Sequence, residues 1–373
     1  MKLYQRIHTI IEDKDQSRWP LTRGLLHGLS MIYGALADRR ARLYQTGRLS
    51  SHQLPCIVIS VGNLTTGGTG KTPMVCAIAT FLQKKGKRVV VISRGYKGKY
   101  EKKGGLVSDT HQMLMHAADA GDEPYLMARQ MPGIPVLVGQ DRLASGRLAI
   151  QKFAPDVIVL DDGFQHLRLK RHVNLLLLDA QHPFGNGHLL PRGKLREPAS
   201  HITRADALVL TRSTAQIPPY YEHLRQSVKP RPVFRAFHKA AIRGEVPAGT
   251  PIQNDAMMET DLRTIGGGDH KRVFAFSGLA NNASFIDSVN SLEGNVVKNL
   301  DYQDHHIYTI AEMEEIGRLA LRFKSHCIAT SEKDYMRIPE GVTFPLDLVI
   351  IGVDIDFKAD QADWETYLAS AVI

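Results

Sequence analysis

The sequence predicts an α/β protein with a mainly parallel sheet, a second and smaller α/β lobe, and an amphipathic N-terminal helix. Three observations predict this architecture. After residue 50, short apolar runs alternate with helical stretches, a proline-rich segment interrupts that rhythm, and the first 50 residues combine basic charge with helical apolar spacing. The length of 373 residues suits two or three domains of about 150 residues each.

Composition excludes several classes of protein. Hydrophobic residues make up 43% of the chain and charged residues 23%, which is ordinary globular usage and argues against disordered and fibrous proteins. The three cysteines include no C-x-x-C pair, so a disulfide framework and a structural zinc site are not expected. No uninterrupted apolar run of about 20 residues occurs, so no membrane-spanning helix is expected.

The first 50 residues are the most basic part of the chain. They hold nine Lys and Arg residues against four Asp and Glu residues, and they contribute +5 of a net charge of +9. Such a concentration of charge points to an anionic partner, either a nucleic acid or an acidic membrane surface. A zinc-finger motif, an RNA-binding aromatic motif and basic–aromatic interleaving are all missing from the sequence, so nucleic acid is not the expected partner.

Helical apolar spacing lies within this basic segment. The apolar residues on one predicted face are Leu25, Leu26, Leu29, Ile32, Tyr33 and Leu36. Arg18 and Arg23 precede them, and Arg39, Arg40 and Arg42 follow them. This pattern is typical of a helix that lies in the headgroup region of an anionic membrane. The alternative is a helix packed on the protein body with solvated charges.

The buried strands and the seam between lobes can be placed from apolar runs. The predicted strands are Cys56–Val61, Arg88–Ser93, Val157–Leu160, Val173–Leu178, Ala207–Leu210, Val273–Phe276, Cys327–Thr330 and Leu348–Val353. A helix is predicted over Met74–Lys85, and prolines between 215 and 235 mark a seam. The predicted organisation is therefore a membrane-associating segment at 1–50, a first lobe at 51–225 and a second lobe at 226–373.

The sharpest motif lies between the first strand and the first helix of the larger lobe. It is VGNLTTGGTGKT at 61–72, which has the composition of a P-loop, and the strict pattern departs only at Thr65, where glycine is usual. Residues 65–70 (Thr65, Thr66, Gly67, Gly68, Thr69 and Gly70) are predicted to curl their amides around phosphate oxygens. Lys71 is predicted to reach the β- and γ-phosphates, and the Thr72 hydroxyl is predicted to meet Mg²⁺.

A second motif supplies the acidic partner that such a loop needs. The apolar run VIVL at 157–160 ends in Asp161 and Asp162, which predicts a Walker-B carboxylate beside the P-loop. Two adjacent carboxylates repel each other unless they bind a cation or accept hydrogen bonds, so Mg²⁺ is the expected ligand. The alternative is an acidic pair that opens a turn at Gly163.

Three further patterns refine the prediction. The guanine-reading pattern Asn-Lys-x-Asp does not occur, because no Asn is followed by Lys, so ATP is the expected nucleotide. The segment 121–124 (GDEP) places two acids before a proline, in an extended or turn geometry, although the first turn of a helix would look the same. Paired histidines follow Asp304 at 305–306, and an acid/base or substrate role suits them better than metal ligation, because adjacent side chains point in different directions.

Taken together and in order, these motifs resemble the lipid A 4′-kinase (tetraacyldisaccharide 4′-kinase) family. The matching segments are 61–73 (VGNLTTGGTGKTP), 93–96 (SRGY), 121–124 (GDEP), 161–166 (DDGFQH), 189–198 (LLPRGKLREP), 304–306 (DHH) and 330–334 (TSEKD). The resemblance implies P-loop-type α/β lobes and ATP- and Mg²⁺-dependent phosphorylation of the 4′-hydroxyl of a lipid A disaccharide precursor. It also implies a peripheral location on the cytoplasmic face of the bacterial inner membrane, with no obligate protein partner.

The resemblance also implies roles for individual residues. Lys71 would act on the phosphates, Thr72, Asp161 and Asp162 would hold the metal, and Asp122 would be the base for the sugar hydroxyl, with His305 as its partner. Residues that would line the substrate cleft are Gln165, His166, Arg196 and Glu197. The alternative function is a P-loop NTPase switch or a metallochaperone-like ATPase, which would lack a dedicated hydroxyl base.

Overall fold

The structure, a computed structural model, describes residues 7, 9–11, 19–228, 230–253, 264–265, 271–279 and 281–372. The chain divides into two compact units. The first contains residues 1–237 together with 355–373, and the second contains residues 238–354.

The elements of the first unit are as follows. Its strands are β1 (Ile57–Asn63), β2 (Val89–Ser93), β3 (Gly105–Ser108), β4 (Val136–Val138), β5 (Val157–Asp161), β6 (Val173–Asp179), β7 (Ala207–Thr211) and β8 (Val233–Arg235). Its α-helices are α1 (Pro20–Gln45), α2 (Lys71–Lys84), α3 (Ala117–Ala120), α4 (Asp122–Gln130), α5 (Arg142–Phe153) and α6 (Tyr221–Ser227). Its last helix is the C-terminal one, Gln361–Ser370, and short 3₁₀ turns span Ala199–Arg204 and Lys358–Asp360.

The second unit has fewer elements. Its strands are β9 (Phe237–Val246), β10 (Arg272–Ser277), β11 (Asn295–Asp301), β12 (Cys327–Ser331) and β13 (Leu348–Asp356). Its helices are α7 (Asn282–Ser291), α8 (Ile310–Arg322) and α9 (Glu332–Tyr335), and the C-terminal helix Gln361–Ser370 of the first unit is α10.

The sheet of the first unit brings the predicted motifs to one edge. Its strand order over the described residues is β3-β4-β2-β5-β1-β6-β7-β8, and all neighbours run parallel except β3 and β4. In the register between β1 and β5, Val61 lies opposite Asp161. Because carboxyl ends of parallel strands share one edge, the loop after β1 and the acids after β5 emerge side by side.

The second unit is a smaller sheet with helices of its own. Its described strands follow the order β11-β10-β12-β13-β9, and β11, β10, β12 and β13 pair in parallel. Strands β10 and β12 are buried along nearly their whole length, as expected for strands covered on both faces. The predicted α/β class with a parallel first lobe and a smaller second lobe is confirmed.

The division between the units differs from the predicted boundary at 225/226. Strand β8 belongs to the first sheet, where Leu208 of β7 pairs with Val233. Helix α10 also returns to the first unit, and the Trp364 ring packs edge-on against Phe234 with centroids 5.2 Å apart. Strand β8 has only three residues and follows prolines, so its sequence shows little strand periodicity. The contact of Trp364 with Phe234 spans 130 residues, so no local sequence pattern predicts it.

Helix α1 forms as predicted, but its faces are arranged differently from the prediction. The side chains of Leu25, Ile32 and Leu36 are 65%, 61% and 60% exposed. Leu26, which shares their predicted face, is instead buried together with Gly34. Arg18, predicted to precede the helix, lies outside the described residues. Among the described helices, none is long and apolar enough to cross a membrane.

One glycine in β1 fixes how closely the two motif loops approach. A β-carbon added to Gly62 would lie 2.6 Å from Cβ and 2.7 Å from the backbone nitrogen of Phe164. Both neighbours are too close for an ordinary contact, and backbone cannot swing aside as a flexible side chain can. Gly62 therefore permits the turn after β5 to pack directly on β1.

We expect Gly62→Ala to lower the free energy of unfolding by about 1–3 kcal/mol, because overpacking of a closed core site costs roughly that amount. Chemical denaturation measures the difference. Gly28→Ala is the control, because nothing lies within 4 Å of the added β-carbon and alanine favours helix. A Gly62→Ala variant as stable as the wild type would contradict the close approach.

Candidate active site

The P-loop is held by a glycine turn and by polar contacts of its own strand. Gly70 has a φ of 78°, a left-handed conformation that glycine adopts without strain, and α2 begins at the next residue. The helix therefore starts at Lys71, three residues before the predicted start at Met74, because Pro73 is tolerated in a first helical turn. The Asn63 amide donates to Thr69 Oγ1 at 2.9 Å and so ties the two ends of the loop.

A second segment braces the outer arm of the loop. The backbone nitrogen of Thr66 donates to the carbonyl of Lys194 at 2.8 Å. The backbone nitrogen of Arg196 donates to the carbonyl of Leu64 at 2.7 Å. Gly67 and Gly68, at the crest between these contacts and α2, are exposed to solvent. The crest is therefore open to an incoming phosphate while both of its arms are fixed.

Arg212 contacts the crest, a role that none of the sequence motifs predicts. Its Nη2 donates to the Gly68 carbonyl at 2.5 Å, and its Nη1 donates to Asp179 Oδ2 at 2.7 Å. Both Asp179 and Arg212 come at the ends of neighbouring parallel strands, β6 and β7. Their position at strand ends on the motif edge is the signal that could have identified them.

Asp161 is a deeply buried carboxylate with one oxygen left to a ligand. Its Oδ2 accepts from the Ser93 hydroxyl at 2.7 Å, and its Oδ1 is buried with no hydrogen-bond partner in the part of the chain that the structure describes. Burial and the negative charges of Glu123 and Asp162 raise the pKa of Asp161 to about 6. A cation at Oδ1 would relieve this cost, since an isolated buried charge is strongly unfavourable.

Asp162 is held as an anion by two cations. Its Oδ2 accepts from Arg196 Nη1 at 2.7 Å, and its Oδ1 lies 3.7 Å from Lys71 Nζ. Burial alone would raise the pKa of Asp162, but the charges of Lys71 and Arg196 outweigh it and hold the pKa below its ordinary value. The P-loop lysine and the acidic pair therefore meet, as the two motifs predict.

The donor set suits a magnesium ion that is shared with phosphates. The described residues contain no cluster of three or more His, Cys, Asp or Glu side chains that could hold a metal by themselves. Mg²⁺ at kinase sites takes one or two carboxylates and fills its octahedron with phosphate oxygens and waters. The unpartnered Asp161 Oδ1, Asp162 and the buried hydroxyl residue Thr72 fit that requirement.

Asp122 is the first residue of α4 rather than part of an extended segment. Gly121 precedes it with a φ of 89°, and Pro124 occupies the first turn, where its missing N–H is not needed. Of the two geometries that the sequence leaves open for 121–124, an extended or turn segment and the first turn of a helix, the structure has the helical one. The charge of Glu123 reaches Asp161, so this helix start belongs to the same edge of the sheet.

The predicted cleft residues have different environments. Gln165 donates to the Asn63 carbonyl at 2.8 Å and so links the acidic turn to the P-loop. The Nε2 atom of His166 is buried without a hydrogen-bond partner among the described residues, and burial, aided by the charge of Arg142, lowers the pKa of His166 to about 4. Glu197 is buried in an ion pair with Arg204, so its carboxylate is already engaged.

Helix α1 docks on the loops that carry these residues. The Tyr33 hydroxyl donates to the Arg196 carbonyl at 2.8 Å, and Arg40 Nη1 donates to the Gln165 carbonyl at 3.2 Å. Asp38 Oδ1 lies 2.7 Å from His201 Nε2. The side of the helix that carries Tyr33, Asp38 and Arg40 therefore packs on the loops of the site, as the alternative of a helix packed on the protein body expects for that side.

The two histidines of the second unit are in contrasting positions. His306 Nε2 lies 3.0 Å from Glu312 Oε1, and its ring stacks on Tyr302 with centroids 4.6 Å apart. Glu312 completes the capping box of α8, so His306 is part of the packing around that helix. His305 instead accepts at Nδ1 from Arg337 Nη2, 3.1 Å away.

Comparison with known proteins gives one consistent result. The family described as Tetraacyldisaccharide-1-P 4'-kinase (LpxK) matches residues 22–372. The tetraacyldisaccharide 4'-kinase of Desulfatibacillum aliphaticivorans is 38% identical over 370 residues, which cover 99% of this chain and 98% of that protein. The one from Syntrophus aciditrophicus is 37% identical over 97% of both chains. A crystal structure of LpxK from Aquifex aeolicus in complex with ATP has a TM-score of 0.70 and 31% identity, covering 94% of this chain and 100% of that one.

We expect Asp161→Asn to stabilise the metal-free protein at pH 7.5. The folded-state pKa of Asp161 is raised to about 6. The protonated carboxyl therefore contributes fully to the free energy of unfolding at acid pH, and this contribution is lost as pH rises through that value. Asparagine can still accept from Ser93 and carries no charge. Thermal unfolding without Mg²⁺ should show a higher Tm for the variant at pH 7.5 and little difference at pH 5.

Asp156→Asn provides a control of opposite sign. Hydrogen bonds from Arg88 lower the pKa of Asp156 to about 2, so its contribution is present at neutral pH and should be lost in the variant. An Asp161→Asn protein that is less stable than the wild type at pH 7.5 without metal would contradict the buried-charge interpretation.

Proposed function

Because this chain belongs to the Tetraacyldisaccharide-1-P 4'-kinase family, we propose that it transfers the γ-phosphoryl group of ATP to the 4′-hydroxyl of a tetraacylated glucosamine disaccharide 1-phosphate. The approach of Lys71 to Asp162 at the sheet edge is the observation that carries this proposal, since it joins a phosphate-binding loop to an acidic pair. The alternative of an NTPase switch without a sugar acceptor is not favoured by the family match.

The nucleotide binds at the P-loop in this proposal. The amides of residues 65–70 surround the phosphates, and Lys71 places its charge on the β- and γ-phosphates. Thr72, Asp161 and Asp162 are the residues that would hold Mg²⁺, which neutralises phosphate charge when it is bound. Asp162 also orients Lys71, because the lysine Nζ and the carboxylate are 3.7 Å apart.

Asp122 is the proposed base for the acceptor hydroxyl. Phosphoryl transfer passes through a loose transition state, so the base has only to accept the proton late and to hold the hydroxyl in line. The first turn of α4 fixes the Asp122 backbone, which suits that positioning role. His305, which belongs to the second unit, is the second residue proposed to act in catalysis.

The acceptor would meet residues from the turn after β5 and from the brace of the P-loop. His166 is neutral at pH 7, since its pKa is lowered to about 4, so it would hydrogen-bond a sugar hydroxyl rather than pair with a phosphate. Gln165 and Arg196 would line the substrate cleft beside it. Glu197, which is paired with Arg204, would support the shape of the loop.

The exposed face of α1 is proposed to bind the cytoplasmic face of the bacterial inner membrane. Large apolar side chains that are solvent-exposed on a basic helix match an interfacial helix, and an anionic lipid surface would attract the flanking arginines. The lipid A precursor resides in such a surface because of its four acyl chains. Nucleic acid and an obligate protein partner have no part in the proposal.

We expect Asp122→Asn to lower the transfer rate about 10²- to 10⁴-fold while ATP binding is retained, because asparagine cannot accept the hydroxyl proton. Purified protein, γ-labelled ATP, Mg²⁺ and a tetraacyl disaccharide acceptor allow label in the lipid to be counted, and ATP affinity is measured separately. The matched control is Asp119→Asn, a half-buried acid three residues earlier that pairs with Lys99.

The same assay separates the two candidate functions. A kinase loses lipid labelling in the Asp122→Asn protein, whereas an NTPase switch shows no labelling even in the wild type and keeps its hydrolysis in the variant. Wild-type protein that hydrolyses ATP without labelling the lipid would overturn the proposed function.

We expect Leu25→Ser, Ile32→Ser and Leu36→Ser, combined in one protein, to weaken binding to vesicles at least about tenfold, because three apolar side chains would no longer enter the lipid. Sedimentation with vesicles containing phosphatidylglycerol measures the bound fraction. Surface substitutions are preferable to deletion of the helix, because Tyr33 and Arg40 contact the site.

A matched triple variant provides the control. Ile217, Ile310 and Leu321 are 59%, 58% and 53% exposed and lie outside α1, so replacing them with serine should leave vesicle binding unchanged. Equal loss in both triple variants, or no loss in the α1 variant, would contradict the membrane proposal.

A further inference from the structure

The segment 330–334 matches the family but has no role in the site described above. It ends in Asp334, whose side chain is fully buried in the second unit. The carboxylate accepts hydrogen bonds from the backbone nitrogen of Gly278 at 3.0 Å, the Tyr308 hydroxyl at 3.0 Å and the Ser331 hydroxyl at 2.5 Å. Burial raises the pKa of Asp334, and the hydrogen bond from Ser331 and the charge of Arg337 act in the opposite direction.

Arg337 connects this buried carboxylate to His305. Its side chain is only 5% exposed, and Nη1 lies 3.5 Å from Asp334 Oδ1. Its Nη2 lies 3.1 Å from Nδ1 of His305. A guanidinium group has donors and no acceptor, so Nδ1 must accept in this contact. The neutral His305 ring therefore carries its proton on Nε2, and Asp304 Oδ2 lies 3.9 Å from that atom.

The same carboxylate also fixes the backbone of His305. His305 has a φ of 63°, which is uncommon for a residue with a β-carbon and persists only where the surroundings impose it. Its backbone nitrogen donates to the carbonyl of Gly278, 3.3 Å away, and the nitrogen of Gly278 is bound to Asp334. Asp334 thus holds the His305 side chain through Arg337 and the His305 backbone through Gly278.

From this geometry we propose that Arg337 is a positioning residue that fixes the Nε2–H tautomer of His305, and that Asp334 anchors it. An imidazole in this tautomer presents a hydrogen-bond donor at Nε2, which suits the acid/base or substrate role proposed for His305. The inference rests on the proposed function in one respect, the catalytic role of His305. His306 is not a candidate, because Glu312 and Tyr302 hold its ring.

The tautomer can be observed in the wild-type protein without any variant at Arg337. Protein labelled with ¹⁵N at histidine gives distinct nitrogen shifts for the two tautomers, and loss of signals in His305→Gln assigns those of His305. We expect a protonated Nε2 and an unprotonated, hydrogen-bonded Nδ1. A protonated Nδ1 would overturn the inference whether or not any variant folds.

Variants then test the consequence for transfer. We expect Arg337→Met to lower kcat about 10- to 100-fold, because a misplaced catalytic group costs roughly that factor, with KM for ATP unchanged and the His305 tautomers mixed. Arg337→Lys keeps a cationic donor and should restore part of the rate and the Nε2–H form. Arg318→Met removes an exposed arginine that pairs with Glu315 and should change neither.

Two outcomes are distinguishable. If Asp122→Asn and His305→Gln leave lipid phosphorylation intact, the proposed function of these residues fails. If those variants lose activity but folded Arg337→Met keeps the wild-type rate and His305 spectrum, only the positioning role fails. Should Arg337→Met not fold because Asp334 is left buried without its cation, the wild-type nitrogen shifts still decide.

Discussion

A single carboxylate, Asp162, unites the parts of the site that the parallel sheet brings to one edge. It lies between Lys71 of the P-loop at 3.7 Å and Arg196 of the bracing segment at 2.7 Å. Its own backbone adopts a φ of 49°, which turns the chain sharply after β5. Together with the backbone hydrogen bonds of the brace and the bond from Gln165 to Asn63, this ion-paired junction joins the loop, the brace and the acidic turn into one site.

The pKa values of the two neighbouring carboxylates are shifted in opposite directions, and the difference follows from their surroundings. Asp162 faces two cations, so its charge is stabilised even though it is buried. Asp161 is buried and lies near the negative charges of Glu123 and Asp162, and the Ser93 hydroxyl offsets them only in part. Its charge is therefore unfavourable in the absence of a cation. Pairs of like groups whose environments separate their pKa values are typical of sites that divide two tasks. Here Asp162 organises protein groups as well as facing the metal position, whereas Asp161 keeps one oxygen for the metal alone.

Local motifs allowed much of this to be predicted from sequence, and long-range contacts account for the rest. The strands at 157–161 and 207–211 were predictable because they are continuous apolar runs. The P-loop lysine and the acidic pair were predictable because their spacing is set by one strand and one turn. The contact of Arg212 with Gly68 spans 144 residues and follows only from the order of strands in the sheet.

Prediction was also limited where one sequence pattern fits two structural environments. Leu26 fits the apolar period of α1, yet it is buried, whereas Leu25 and Ile32 of the same predicted face are exposed. Periodicity tells which residues share a face but not which face another part of the chain will cover. The start of α4 at Asp122 shows the same limit, since an acid before proline suits both a turn and a first helical turn.

The docking of α1 has a consequence for how a lipid reaches the site. Tyr33 and Arg40 bind the helix to the loops of Arg196 and Gln165. The helix therefore cannot move relative to these loops without breaking the two hydrogen bonds. If its exposed side enters lipid as proposed, the reacting edge stands at a fixed elevation above the bilayer. The sugar must then rise to that elevation while its tails stay immersed. Which lipids can be phosphorylated would depend on the reach of the headgroup more than on the length of the chains below it.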